Sequence, residues 1–258
     1  MTTAFELRAR AWAKLGQGNL LKAVGAFGLY WLMGFILAQG LTHIGVLTGG
    51  IVQMSVEEFL REHGEMFRQM GLALPHPSDL PVELNSMTFP LVMPSFQVIQ
   101  WFVTTFMTGV IFAGWTVFTM AMMRNGANAL QVYSGFTRFF SMGWLMLLRS
   151  WLVALWSLLL IVPGIVAFYA YRQAFFLKAD HPEWSAWKAL AESKKMMDGH
   201  KWRLAYLDMT FIGWSLLVVV TFGLAAFFVT PYMGVTCAAF YEDLLDRAEA
   251  QSGDAVPA

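Results

Sequence analysis

The chain has 258 residues, of which 57% are hydrophobic and only 13% are charged, and its 17 basic and 17 acidic side chains balance to a net charge of zero. Ordinary soluble domains carry about 25% charged residues, and several apolar stretches here approach or exceed the ~20 residues that cross a bilayer. This composition excludes an ordinary soluble protein and predicts a polytopic membrane protein. The single cysteine, Cys237, excludes a disulfide framework and a cysteine metal site.

The N-terminal stretch, residues 1–19, is amphipathic and is predicted to be an interfacial helix. Phe5, Ala9 and Trp12 lie on one face, opposite Glu6, Arg10 and Lys14. Helices with aromatic anchors on one side and basic residues on the other lie naturally among lipid headgroups. Two interpretations remain open: the helix packs against the membrane bundle, or it offers a dedicated lipid or partner surface.

Six apolar spans then follow along the chain. We place them at about residues 20–41 (47 at the longest), 97–122, 142–162, 163–177, 204–221 and 223–240. The fold class is therefore predicted to be all-α, a polytopic transmembrane helical bundle of about six spans arranged as three hairpins. We expect a single integral membrane domain over residues 1–258, with a flexible tail at 246–258.

The connection at 48–95 is the only long loop between the predicted spans. The segment "SVEEFLREHGEMFRQM" has helical spacing and predicts a short surface helix. Five prolines follow it and disfavour a long regular element after about Gly71. We predict that this loop is extracytoplasmic.

A second interfacial helix is predicted on the cytoplasmic side, within residues 180–199. Asp180 is the expected N-cap, with Pro182 in the first turn and Glu183 in a capping-box position. Gly199 is the expected stop. A shorter helix is also expected ahead of the third span, in "GANALQVYSGFTRFF".

The distribution of Lys and Arg predicts the orientation, because short cytoplasmic loops collect these residues. Residues 1–22 hold four against one acid, 123–141 hold two and no acid, and 178–203 hold six, whereas the 48–95 loop holds two against six acids. Both termini are therefore predicted to be cytoplasmic, with a tight outer hairpin turn at Pro163-Gly164. The alternative is one kinked helix there and five spans in all, since membrane helices tolerate proline.

Three ionisable residues lie inside the predicted spans and form a candidate intramembrane charge layer. Arg149, Arg172 and Asp208 all lie roughly 8–10 Å from the cytoplasmic boundary at ~1.5 Å per residue. Charged residues in spans usually face the bundle interior and pair with one another. We expect Asp208 to pair with Arg149 or Arg172, and the other arginine to meet a phosphate, a lipid headgroup or the acids Glu242 and Asp243.

Four motifs in the C-terminal half occur in a fixed order, at residues 162–164, 199–203, 211–214 and 231–241. The stretches that carry them are "LLLIVPGIVAFYAYRQAFFLKAD", "GHKWRLAYLDMTFIGWSLL" and "PYMGVTCAAFYEDL". Over residues 134–245 this pattern resembles the bacterial integral membrane family of domain of unknown function 975 (DUF975). His200 stands where the family usually has Asn, and Val162 where it has Ile. The resemblance implies a multi-span protein of the bacterial cytoplasmic membrane, and it supplies no activity and no catalytic residues.

No enzymatic motif is complete in the sequence. The string "EHGEMF" lacks the second histidine of a zinc-protease helix, and the five histidines are scattered along the chain. We therefore predict no enzyme activity, no metal and no cofactor, with membrane lipids as partners and no nucleic-acid partner. The expected function is a non-catalytic membrane scaffold, sensor or protection protein; the alternative is transport or binding of lipids or hydrophobic peptides.

Overall fold

The structure is a computed structural model that describes residues 2–16, 18–47, 51–71, 75–85, 88–92, 94–124 and 126–253. The chain divides into two compact units. The first consists of Met1–Phe35 with Thr105–Ala258, and the second of Ile36–Thr104. All ionisable residues of the predicted charge layer belong to the first unit.

Helices dominate the described residues, as the sequence predicts. They are α1 (Ala4–Gly16), α2 (Leu20–Leu47), α3 (Val56–Gln69), α4 (Val82–Asn85), α5 (Pro94–Arg124), α6 (Phe139–Leu159), α7 (Ile161–Ala170), α8 (Ala174–Asp180), α9 (Ala186–Met196), α10 (Lys201–Met209), α11 (Ile212–Val220) and α12 (Ala226–Gly253). Within the described residues there are also two 3₁₀ segments, Pro77–Asp79 and Ala129–Arg138, and two strands. In the part of the chain that the structure describes, four stretches are long and apolar enough to cross a membrane: Leu20–Val46, Phe96–Arg124, Ala129–Leu159 and Lys201–Val220.

The chain reverses direction between α6 and α7, at Leu160. The backbone of Leu160 is extended (φ −161°, ψ 146°), which interrupts the helix before Pro163. A Cβ built on Gly164 would lie 2.9 Å from the Ser157 Cβ. Residues seven apart along a straight helix are separated by about two turns, roughly 10 Å, so this contact requires a hairpin in which Gly164 packs directly on α6.

In the first unit, α5 packs closely against the 3₁₀ segment that precedes α6, and glycines allow this close approach. A Cβ at Gly114 would lie 1.7 Å from the Val132 carbonyl oxygen, and one at Gly135 would lie 1.9 Å from the Val110 carbonyl oxygen. No side chain larger than hydrogen fits at either position without moving backbone. The 3₁₀ segment is the short helix expected in this region, and its N-cap Asn128 forms a capping box with Gln131.

Helix α1 packs against α10 and α12, but not with the face that its hydrophobic pattern suggested. The buried residues are Leu7, Ala11 and Leu15, at a spacing of four that places them on one face. Phe5 and Trp12 remain exposed, although the Trp12 ring meets Tyr232 edge to face at 5.6 Å. The helix thus packs on the bundle through small and aliphatic residues and keeps its aromatic residues outside.

The N-cap predicted for the second interfacial helix is wrong. Helix α9 begins at Ala186, and the Ser185 hydroxyl accepts from the Lys188 N–H at 3.2 Å. Asp180 instead is the last residue of α8, where it binds Arg124. Gly199 adopts a positive φ of 73° in the turn that leads into α10, which is the role expected of a glycine stop.

The C-terminal prediction also needs correction. Helix α12 continues to Gly253, through most of the range that we predicted to be a flexible tail. An i,i+4 ion pair between Asp243 and Arg247 stabilises this part of the helix. Residues 254–258 lie outside the described residues.

The second unit contains the predicted surface helix as α3, together with a pair of strands that sequence patterning did not reveal. Strand β1 (Ile51–Ser55) pairs antiparallel with β2 (Thr88–Val92), with Gln53 opposite Pro90. A proline in a sequence normally argues against a strand, but edge strands tolerate proline. The Ser55 hydroxyl accepts from the Glu58 N–H at 3.2 Å and so caps α3.

Candidate functional site

The carboxylate of Asp208, on α10, binds the guanidinium of Arg172, which lies in the turn between α7 and α8. Arg172 Nη1 donates to Asp208 Oδ2 at 2.9 Å, and Nη2 donates to Oδ1 at 3.4 Å. The two side chains are 23% and 22% exposed. Arg172 Nη2 also contacts the Cys237 sulfur at 3.6 Å, which links the pair to α12. Of the two pairings expected for Asp208, the structure contains the one with Arg172.

Arg149, the third member of the predicted layer, lies close to this pair but not in it. Its guanidinium carbon lies 5.3 Å from the centre of the Phe168 ring, and that of Arg172 lies 5.6 Å from the same ring. Within the part of the chain that the structure describes, Arg149 makes no hydrogen bond or ion pair. The two arginines thus share one aromatic ring on α7, and only one of them has a carboxylate.

Both arginines line a cavity of about 350 Å³ between α5, α6, α7 and α12. Trp115, Thr116 and Thr119 of α5 and Cys237 of α12 also contribute to its wall. None of the residues that line this cavity is acidic. The cavity wall therefore holds two guanidinium groups, of which, among the described residues, only that of Arg172 is paired with a carboxylate, and no acidic side chain.

A second cluster of charges joins the C-terminal ends of α5 and α8 to the interior of α12. Arg124, at the end of α5, binds both oxygens of Asp180 at 2.7 and 2.8 Å and donates to Glu242 at 2.7 Å. The Tyr241 hydroxyl donates to the same Asp180 at 2.9 Å. Burial, reinforced by the Asp180 charge, raises the pKa of Tyr241, so this hydroxyl keeps its proton. We call this cluster the Arg124 network.

A third cluster joins the N-terminus to α10 and α12. Arg203 Nη2 and Arg247 Nε donate to Asp243 at 2.8 and 2.9 Å, and the Thr2 hydroxyl donates to the same carboxylate. Burial by itself raises the pKa of Asp243, but hydrogen bonds from Arg247, Thr2 and Arg203 outweigh it and lower the pKa to about 2. Asp243 therefore stays ionised at neutral pH.

These two clusters change what was expected of Glu242 and Asp243. Both acids were considered as partners for the arginine that Asp208 leaves over, but Glu242 binds Arg124 and Asp243 binds Arg203 and Arg247. Sequence reasoning missed both clusters. The available signal was the presence of opposite charges at the predicted cytoplasmic ends of several spans, which does not specify the pairs.

No group of three or more His, Cys, Asp or Glu side chains that could hold a metal occurs within the described ranges. His181 stacks on Trp184 at 4.0 Å, and His63 stacks on Phe59 at 4.9 Å. The imidazole rings of both histidines therefore pack against aromatic side chains.

Fold and charge clusters together define a helical-bundle protein with four apolar helices of membrane-spanning length. Residues 83–248 match the family described as "Protein of unknown function (DUF975)", and the chain belongs to that family. The resemblance seen in its motifs is thus confirmed, and the match begins in the 48–95 loop rather than at residue 134. No curated protein and no solved structure matches the chain.

Proposed function

We propose that this DUF975 protein is a non-catalytic integral membrane protein of the bacterial cytoplasmic membrane, with six spans as three hairpins and both termini in the cytoplasm. Its role in this proposal is to scaffold, sense or protect the bilayer. One observation carries the proposal. In the two C-terminal hairpins the ion networks lie at one end and the exposed apolar turns lie at the other.

The ionic end is where the predicted cytoplasmic connections lie. The Arg124 network holds together the ends of α5 and α8 and the C-terminal part of α12. Asp243, next to Glu242, connects Thr2 and the first turn of α10. The hairpin turn at Leu160 brings the chain back to this end after α6, which supports six spans over five.

The opposite end of both C-terminal hairpins is apolar and exposed. Leu158 is 88% exposed beside the α6–α7 turn, and Phe222 is 99% exposed at the turn between α11 and α12. Phe222 and Gly223 both have positive φ, and the Gly223 N–H donates to the Val218 carbonyl at 2.8 Å to close the helix. Turns exposed to water are normally polar, so these turns favour a lipid environment.

The topology can be tested by labelling single cysteines on intact cells with a membrane-impermeant maleimide. Ser78→Cys probes the long loop, and Lys195→Cys probes α9, both in a Cys237→Ser background. Lys195 is preferred to Ser193 because Ser193 is buried and donates to the Ala170 carbonyl at 2.8 Å. We expect labelling at 78 in intact cells, and at 195 only after lysis.

The comparison is valid only if the cysteines of both variants react with the maleimide after lysis. Labelling of 195 from outside, or protection of 78 in intact cells, contradicts the proposed orientation.

A second candidate function is binding or transport of lipids or hydrophobic peptides. It is favoured by the cavity beside Arg149, because ligand sites of small molecules are typically concavities of ~300–1,000 Å³. No acidic side chain lines this cavity, which favours lipid binding over ion-coupled transport.

A further inference from the structure

We infer that the cavity between α5, α6, α7 and α12 binds a phosphate group, held by Arg149 and Arg172. This goes beyond the proposed membrane role, and it depends on that role only for the source of the phosphate. The inference rests on charge, donor geometry and space.

The first argument is charge. Arg172 is neutralised by Asp208 at 2.9 Å, whereas Arg149 has no carboxylate partner in the described part of the chain. Its guanidinium carbon lies 5.3 Å from the centre of the Phe168 ring, which it shares with Arg172. A guanidinium in a membrane helix normally pairs with an acid or a backbone carbonyl. An anion in the cavity would supply the missing partner.

The second argument is the type of donor that faces the cavity. Arginine presents a planar fork of N–H groups that matches two oxygens of a phosphate at once. The indole nitrogen of Trp115 packs against α12, since a Cβ built on Gly234 would lie 2.8 Å from it. Both Trp115 and Gly234 line the cavity. The cavity thus has donors in excess and an oxyanion as the complementary ligand.

The third argument is space and position. About 350 Å³ accommodates a phosphate with a small headgroup. Phe112, Phe168, Phe176 and Met233 form the apolar part of the wall, and Thr230 also lines the cavity. A polar centre with an apolar surround suits a phospholipid headgroup with the start of its chains, and it also admits a small organic phosphate.

The test uses the full chain, purified in an uncharged detergent and stripped of lipid. Phosphatidylglycerol, glycerol 3-phosphate and a diacylglycerol with the same acyl chains are titrated at constant ionic strength. The midpoint of thermal unfolding gives the apparent affinity of each. A second readout is the rate at which N-ethylmaleimide modifies Cys237, which lines the cavity and is the only cysteine in the chain.

We expect phosphatidylglycerol to raise the unfolding midpoint and to slow modification of Cys237, and diacylglycerol to bind at least about tenfold more weakly because it has no phosphate. Stabilisation by glycerol 3-phosphate as well would show that the phosphate alone suffices. Stabilisation by the lipid only would identify the membrane as its source. Either result supports the site.

Arg149→Met should reduce phosphate affinity at least about tenfold, since it removes the charge and the fork. Without ligand the variant should be no less stable than the wild type, because it also removes a charge that has no carboxylate. Arg149→Lys keeps the charge without the fork and should lie in between. Arg10→Met, on the exposed face of α1, is the matched control and should bind as the wild type does.

Two results would overturn the inference: no effect of either phosphate compound on the wild type, or equal affinity in the wild type and Arg149→Met. If Arg149→Met fails to fold, the Arg149→Lys variant decides, and wild-type affinity there would equally count against the site. Failure of the phosphate site would leave the labelled topology untouched, so the two proposals are tested separately.

Discussion

Asp208 can lie inside the predicted fifth span because Arg172 donates two hydrogen bonds to it. A lone ionised carboxylate away from water would be strongly unfavourable. Since both side chains remain about one-fifth exposed, the pair is partly solvated, and its desolvation cost is smaller than that of a fully buried pair. The same reasoning explains why Arg149, which shares Phe168 but not the acid, is the residue at which a ligand is expected.

We predict that Asp208→Ala lowers the free energy of unfolding in detergent by about 2 kcal/mol or more, because it leaves Arg172 without its partner. The double change Asp208→Ala with Arg172→Leu should recover part of that loss. The measurement is equilibrium unfolding of the three proteins. Asp198→Ala, at an exposed ion pair with Lys201, is the control and should have little effect.

If the double variant is no more stable than Asp208→Ala alone, the pair does not compensate charge in the way described, and the stability of α10 must come from packing instead.

The predicted fourth and fifth spans are each made of two shorter helices. Between α10 and α11 the Thr210 hydroxyl donates to the Leu207 carbonyl at 2.7 Å, a local bond that competes with the helical ladder. Between α7 and α8 the break places Arg172 opposite Asp208. The hairpin of α6 and α7 depends on Gly164, where the two backbones approach too closely for a side chain.

We therefore predict that Gly164→Ala destabilises the protein by about 1–3 kcal/mol, since the new methyl group would overlap Ser157 and force α6 and α7 apart. Gly213→Ala is the matched control: its Cβ would meet nothing within 4 Å, and in α11 it should stabilise by about 0.4–1 kcal/mol. Thermal unfolding of both variants in the same detergent provides the comparison. Equal effects of the two substitutions would rule out the close approach of α6 and α7.

The C-terminal hairpins expose more apolar surface than a protein surrounded by water normally does. Leu216, in the middle of α11, is 63% exposed, and Val219 and Val220 beside it are exposed as well. Monomeric soluble proteins rarely expose continuous apolar patches of this kind. A bilayer would cover the patch without any partner protein.

We predict that Leu216→Asp reduces membrane integration, because an acid at the centre of a membrane helix costs about 2.5–3.5 kcal/mol. Ala191→Asp, at an exposed position of the predicted cytoplasmic helix α9, should leave integration unchanged. The amount of protein retained in membranes after alkaline carbonate washing measures the difference. Equal retention of the two variants would contradict a bilayer around α11, since both positions are exposed in the fold.

The sequence by itself determined the features that depend on residues close together along the chain. Apolar runs located the starts of the long helices to within a few residues, the spacing in 55–70 predicted α3, Gly199 marked a stop, and the motifs indicated the family. Each of these depends on helical periodicity, on backbone preference or on local hydropathy. A single sequence contains that information directly.

Only the tertiary structure decided which distant groups meet. In the structure Asp208 pairs with Arg172 and not with Arg149, and Arg124 binds Asp180 and Glu242. Ser185 rather than Asp180 caps α9, and β1 pairs with β2. These contacts depend on the rotation of each helix about its axis and on the register between elements far apart in the chain. Hydropathy constrains neither, because a helix that is apolar on all sides can turn any face toward its neighbours.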